Sequence, residues 1–156
     1  MNKNNPIIFI PGHVPSLKNT HVIASFKKKG QSKSVYTLVH HQRVREYIAK
    51  TNWHYEEKAA RFYQCYQSGT DLLGEPMYSY PVRVGLHFVR VDNRKFDFHN
   101  ATHIVADMMV KHNWIPDDDI DHFLPFPLYL TPKKFNFTCS WYSVYKNGPG
   151  VAIKVL

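Results

Sequence analysis

The sequence predicts a mixed α+β fold, a β-sheet of about five strands packed by two or three helices. Three observations carry this prediction. Residues 82–91, VRVGLHFVRV, alternate, so that Val82, Val84, Leu86 and Phe88 share one face, as in a half-buried strand. Between Val39 and Tyr66 the period becomes helical, with Val44, Ile48, Ala59, Phe62 and Tyr66 spaced among lysines and arginines. The remaining apolar runs are short and bounded by Pro, Gly and Asn, as in strands joined by turns. No repeat or long linker divides the chain, so residues 1–156 are expected to form one domain.

In chain order, Ile7–Ile10 is a short apolar run closed by Pro11-Gly12, a predicted first strand. Residues 13–34 read as a loop carrying five lysines. The helical stretch follows, with Asn52 as a point at which it divides into two helices. SGTDLLGEPMYSYP, at 68–81, is turn-rich punctuation before the alternating strand. Asn100 is the expected N-cap of a helix running to about His112, with Ile104, Val105, Met108 and Met109 as its buried stripe. Residues 113–132 hold too many prolines for a helix. Two strands, FTCSWYSVYK and VAIKVL, close the chain and are expected to form a hairpin about Asn147-Gly148-Pro149-Gly150.

Composition narrows the function classes. A hydrophobic fraction of 44% with 15% aromatic residues excludes a disordered chain. No run approaches the roughly 18–20 apolar residues of a membrane span, and the N-terminus lacks a secretory pattern. Cys65 and Cys139 form neither a spaced metal pair nor a disulfide framework, which fits a reducing, cytoplasmic setting. A net charge of +8 points to an anionic partner. That charge is unevenly spread. Residues 92–121 hold seven acids against three bases, leaving 17 bases and 5 acids elsewhere. A solvated acidic loop and a metal site on a polyanion-binding surface both account for such an island.

Helical geometry decides which carboxylates can meet. Asn100, His103 and Asp107 stand at i, i+3 and i+7, on one face of the predicted helix. Asp97 lies just before it, at the end that favours an anion. The helix is about 18 Å long, and 112–118, if extended, covers roughly 20 Å, so Asp117 or Asp118 can return toward Asp97. Converging carboxylates raise one another's pKa values unless a cation relieves the repulsion. Mg²⁺ suits such an oxygen-rich site and can bridge to a phosphate and activate a water.

FDFHN at 96–100, the helix carrying Ala106-Asp107, and WIPDDD at 114–119 resemble the signature of the RusA family of Holliday junction resolvases. In that family an Asp-x-Asp-Asn element precedes a helix with a further Asp, followed about ten residues later by an Asp-Asp pair. Asp97, Asn100, Asp107, Asp117 and Asp118 fall in the matching places. IPGHVPSLKN and LVHHQRVREYI are similar to the family's opening and to the helix after it. The resemblance implies a RusA-like domain acting as a homodimeric, Mg²⁺-dependent endonuclease that nicks four-way or related branched DNA in pairs, in a bacterial or phage-infected cell. It implies metal ligation by Asp97 and Asp118, with Asp107 and Asp117 as further members of the acidic set. The alternative is a catalytically weak junction-binding protein on the same fold.

Two positions depart from the family pattern, both to histidine. The family's second Asp falls on His99, and a family lysine falls on His103. Imidazole suits Mn²⁺, Fe²⁺ or Zn²⁺ better than Mg²⁺. His99 therefore stands as a ligand, a phosphate contact, a bystander or a mark of lost catalysis. His103 is either a phosphate contact or proton shuttle, or a solvent-facing helix residue. Asp107 is either part of the metal site or a surface acid paired with Lys111. Lys27, Lys28, Lys29, Lys33, Arg43 and Arg45 are the DNA-backbone candidates, joined by Lys95, Asn100 and Lys111 beside the acidic window. Trp114, Phe126 and Trp141 are read as packing residues, with base stacking as the alternative.

Overall fold

The computed structural model describes residues 5–16, 21–27, 29–30, 33–70, 72–74, 76–130 and 141–156. Its centre is the alternating segment, strand β6 (Val82–Arg90), which forms the middle of a five-stranded mixed sheet. On one side β6 pairs antiparallel with the last strand, β9 (Gly150–Val155), from Val84↔Val155 to Val89↔Gly150. Strand β1 (Ile8–Pro11) completes that side, antiparallel to β9. On its other side β6 meets two parallel partners in succession, β7 (Phe123–Pro127) along Val82–Leu86 and β8 (Tyr142–Val144) along Phe88–Arg90. The fold is mixed α+β, with two helices among the described residues.

Several elements differ from the sequence expectation. The segment read as a lysine-rich loop forms a two-stranded antiparallel ribbon, β2 (His21–Phe26) with β3 (Val35–His40). Its alternation was masked because both faces carry exposed apolar residues, among them Ile23, Leu38 and Phe26. β3 also takes Val39 and His40, where the helical period is expected to begin. The punctuation before β6 holds a short irregular pair, β4 (Gln67–Thr70) and β5 (Pro76–Tyr78). The closing strands do not form a hairpin: β8 joins β6 in parallel, whereas β9 is inserted between β6 and β1. The part of the penultimate strand at 137–140, with Cys139, lies outside the described residues.

Helix α1 (Gln42–Tyr66) is continuous through Asn52. The stripe that carries it across is polar-tipped rather than aliphatic: Tyr47, Thr51 and Tyr55 are buried at i, i+4 and i+8. The tyrosine hydroxyls of Tyr47 and Tyr55 share a 2.8 Å hydrogen bond, and Thr51 Oγ1 donates to Tyr47 O at 2.8 Å. Burial without those partners would be costly, so the pairing is what permits these residues in the core. Asn52 itself points at the second helix, where its Oδ1 accepts from Lys111 Nζ (2.7 Å) and contacts His112 Nε2 (3.0 Å).

Helix α2 (Phe98–Lys111) starts earlier than an Asn100 cap would place it. Asp97 is the N-cap, its Oδ1 accepting the His99 N–H at 2.9 Å. Of the three residues this adds to the helix, 98–100, Phe98 packs edge-on against Phe88 and Trp141. At the other end Asn113 takes a left-handed conformation (φ 57°), with bonds from Asn113 N to Val110 O and from Trp114 N to Met109 O. This two-bond reversal is a Schellman motif, and it satisfies the last carbonyls while turning the chain back. Trp114 then locks the return. It is wholly buried, donates Nε1–H to Tyr55 O at 2.8 Å and accepts the Tyr66 hydroxyl on its carbonyl at 2.8 Å. Among the described residues no helix is long and apolar enough to cross a membrane.

Candidate metal centre and its basic surroundings

The reversal at Asn113 decides which acidic residues meet. His103 and Asp107 are one helical turn apart on the exposed face of α2, and the returning chain sets Asp118 beside them. One ligand atom from each of the three lies within 4.8 Å of the others, and all three side chains are exposed. Among the described residues no other group of histidine, cysteine or acidic side chains converges in this way. Ligands of one divalent ion at about 2.1 Å stand roughly 3–4 Å apart, a spacing close to the 4.8 Å within which these three atoms fall. One imidazole and two carboxylates make a donor set better matched to Mn²⁺, Fe²⁺ or Zn²⁺ than to Mg²⁺.

Asp97 and Asp117 are not part of that trio. At 1.5 Å per residue, Asp97 lies about 9 Å along the helix axis from His103 and about 15 Å from Asp107. Its carboxylate is occupied with the cap, and its backbone is tied to Ser16, whose Oγ bonds to Asp97 O (3.0 Å) and Asp97 N (3.2 Å). Asp117 turns inward on its own loop, Oδ1 accepting the Asp118 N–H at 2.8 Å. That bond orients the backbone presenting Asp118. Asp119 pairs with His122, at 2.7 Å between Oδ1 and Nδ1, and this hydrogen bond holds the Asp119 carboxyl below the usual carboxylate range. His99 is exposed near the N-terminus of α2, its ring edge-on to Phe98.

The basic candidates divide by position. Lys27, Lys29 and Lys33 are exposed at the tip of the β2–β3 ribbon, and Lys28 lies outside the described residues. Arg45 is exposed on the first turn of α1, and Lys95 is exposed just before α2, where Asn100 is half-buried. Lys111 is engaged by Asn52. Arg43 lines a cavity of about 380 Å³ between the segment after β1, the start of α1 and the end of β6. No residue pattern signals this cavity, because its walls come from three segments far apart in the chain. Lys50, Arg90 and Arg94 also line it and were not singled out by any motif. The aromatic residues are used in packing: Trp114 is in the core, Phe126 lies under Arg83 at 5.0 Å, and Trp141 is clustered with Phe96, Phe98 and Tyr142.

Comparison with protein-family models, with characterised proteins and with solved structures gives no match for the chain.

Proposed function

We propose that the protein is a divalent-metal-dependent endonuclease of RusA type acting on four-way or related branched DNA. The observation that carries this reading is the convergence of His103, Asp107 and Asp118 on the open face of α2, in a chain of net charge +8. His103, Asp107 and Asp118 would hold the metal. When bound, the ion supplies charge stabilisation at a phosphoryl oxygen and a water of lowered pKa. The protein's own residues do the rest. Asp117 fixes the loop that presents Asp118, and Asn52 fixes the C-terminal end of α2. The lysines of the ribbon tip neutralise backbone phosphates. The imidazole makes Mn²⁺ a better cofactor than Mg²⁺.

The protein would act as a homodimer, since a near-symmetric junction cut by paired nicks calls for two active sites related by a two-fold axis. The β2–β3 ribbon supports this reading. A lone two-stranded ribbon is marginal in water, and this one leaves Ile23 73%, Tyr36 71% and Leu38 69% exposed, apolar surface suited to a second copy.

A second reading, junction binding without cleavage, is favoured by one observation: Asp97 serves as a helix cap and stands apart from the trio. A cleavage assay on a radiolabelled four-way junction, with Mn²⁺ or Mg²⁺, separates the two. Asp118→Asn is expected to lower cleavage by at least about a hundredfold, since even residues that only orient ligands cost 10–100-fold. Asp97→Asn is the informative companion, because asparagine caps a helix as well as aspartate does. Lost activity in that variant assigns Asp97 to the reaction; retained activity leaves it a cap alone. Binding with no nicking in any metal supports the second reading, and indifference to branched DNA rejects both.

A further inference from the structure

The cavity beside the N-terminus of α2 has the chemistry of an anion site. Four cations line it, Arg43, Lys50, Arg90 and Arg94, against two carboxylates, Glu46 and Asp92. Both carboxylates already have hydrogen-bond donors: Glu46 accepts from Gln42 Nε2 at 2.8 Å, and Asp92 accepts the Arg94 N–H at 3.0 Å. Arg43 and Lys50 are exposed at the rim and form no ion pair with a described residue.

Arg90 is the unusual member. Its side chain is only 10% exposed, yet among the described residues its buried Nε–H has no hydrogen-bond partner. The nearest carboxylate oxygen, on Asp92, is 4.0 Å away, beyond hydrogen-bond reach. Its guanidinium carbon lies 4.0 Å over the centroid of the Phe96 ring, a cation–π contact that holds the group in place. A buried guanidinium with an unfilled Nε–H is costly unless something else completes its shell. Nδ1 of His13, on the same cavity wall, is likewise buried with no partner among the described residues.

We propose that this cavity is a phosphate-binding pocket in which Arg90 is the buried anchor and Arg43 and Lys50 are the rim. A preoriented guanidinium fork matches two phosphate oxygens, and the rim lysine and arginine add charge without geometric demand. The volume of about 380 Å³ is within the range of small-molecule clefts, so the pocket has room for the group that carries the phosphate. Two sources share this chemistry, a phosphodiester of the DNA backbone and the phosphate of a free nucleotide. Ser16 favours the first, since it lines the pocket and is also hydrogen-bonded to Asp97 at the start of α2. In that form the pocket rests on the endonuclease reading and holds a backbone phosphate at the N-terminal end of α2, about 9 Å or more along the helix from the metal trio.

Titration of the ¹⁵N-labelled protein with inorganic phosphate at constant ionic strength, read at the arginine Nε–Hε resonances, tests the pocket without reference to cleavage. Arg90→Met, which keeps the apolar stem over Phe96, assigns the Arg90 signal by its disappearance. The expected result is a saturable shift of that signal, with affinity lowered about tenfold by each of Arg43→Gln and Lys50→Gln, as for loss of one charge-assisted bond. Both positions are exposed, so neither substitution threatens the fold. Absence of a saturable shift, or affinity unchanged in both rim variants, overturns the proposal. Competition then identifies the source. Displacement of phosphate by a four-way junction assigns the pocket to DNA, and displacement by thymidine monophosphate but not by the junction assigns it to a free nucleotide. A protein that never cleaves DNA still passes the phosphate titration, so the pocket and the nuclease activity stand or fall separately.

Discussion

His87 shows how far a single side chain's role depends on its surroundings. It sits mid-strand in β6, 4% exposed, with Nδ1 3.0 Å from Leu128 O and Nε2 3.0 Å from Ser143 Oγ. A carbonyl can only accept, so Nδ1 carries the proton and Nε2 accepts from the serine hydroxyl. Burial disfavours the charged ring and pushes its pKa below 6.5, the Leu128 bond opposing only in part. The unfolded chain therefore binds a proton more readily than the folded one. This stabilising contribution is complete above pH 6.5 and is lost as pH falls through the depressed folded value. His87→Gln is expected to flatten the fall in thermal midpoint below pH 6.5, as measured by calorimetry across a pH series. His13, His54 and His112 are shifted in the same direction by desolvation, so the variant reduces the acid slope without removing it.

At the scale of elements, the metal-binding candidate is a product of how α2 ends. Its i, i+4 pair of His103 and Asp107 follows from helical period alone, but Asp118 joins it through the Asn113 reversal and the burial of Trp114. Trp114→Ala removes a fully buried side chain that packs on Tyr55 and Phe62, and is expected to cost about 3–5 kcal/mol. Urea denaturation measures the loss. Mn²⁺ binding, followed by its paramagnetic broadening of the His103 ring signals, should weaken in parallel because the tether of Asp118 is loosened. The helix boundaries were legible only approximately: apolar periodicity located α2, whereas Asp97 rather than Asn100 caps it because its carboxylate reaches the His99 N–H. Asn52 misled for a related reason, since its polarity serves a contact with α2 rather than a break in α1.

Across the whole molecule, charge is segregated in space as well as in sequence. The trio of one histidine and two aspartates lies on α2 and its return loop, and Lys27, Lys29 and Lys33 cluster where the β2–β3 ribbon turns. If those lysines contact DNA phosphates, each contact contributes about 0.9 to the slope of log affinity against log salt. Replacing Lys27, Lys29 and Lys33 together with Gln should lower that slope by roughly 2–3. Fluorescence anisotropy of a labelled junction across a salt series checks it, and an unchanged slope would place the DNA elsewhere.

Legible from residue order were the fold class, the alternating strand at 82–91, the two helical stretches, the helix face that carries His103 and Asp107, and the acidic island in a basic chain. These are consequences of local periodicity and composition, which act over a few residues. Tertiary structure alone decided that β9 inserts between β1 and β6, that Asp118 rather than Asp97 completes the convergent group, and that Arg90 is buried on the wall of a cavity facing Arg43 and Lys50. Each of those depends on segments brought together across most of the chain. The driving force is burial of the common core, a non-directional effect that leaves no spacing pattern in the residues it happens to juxtapose.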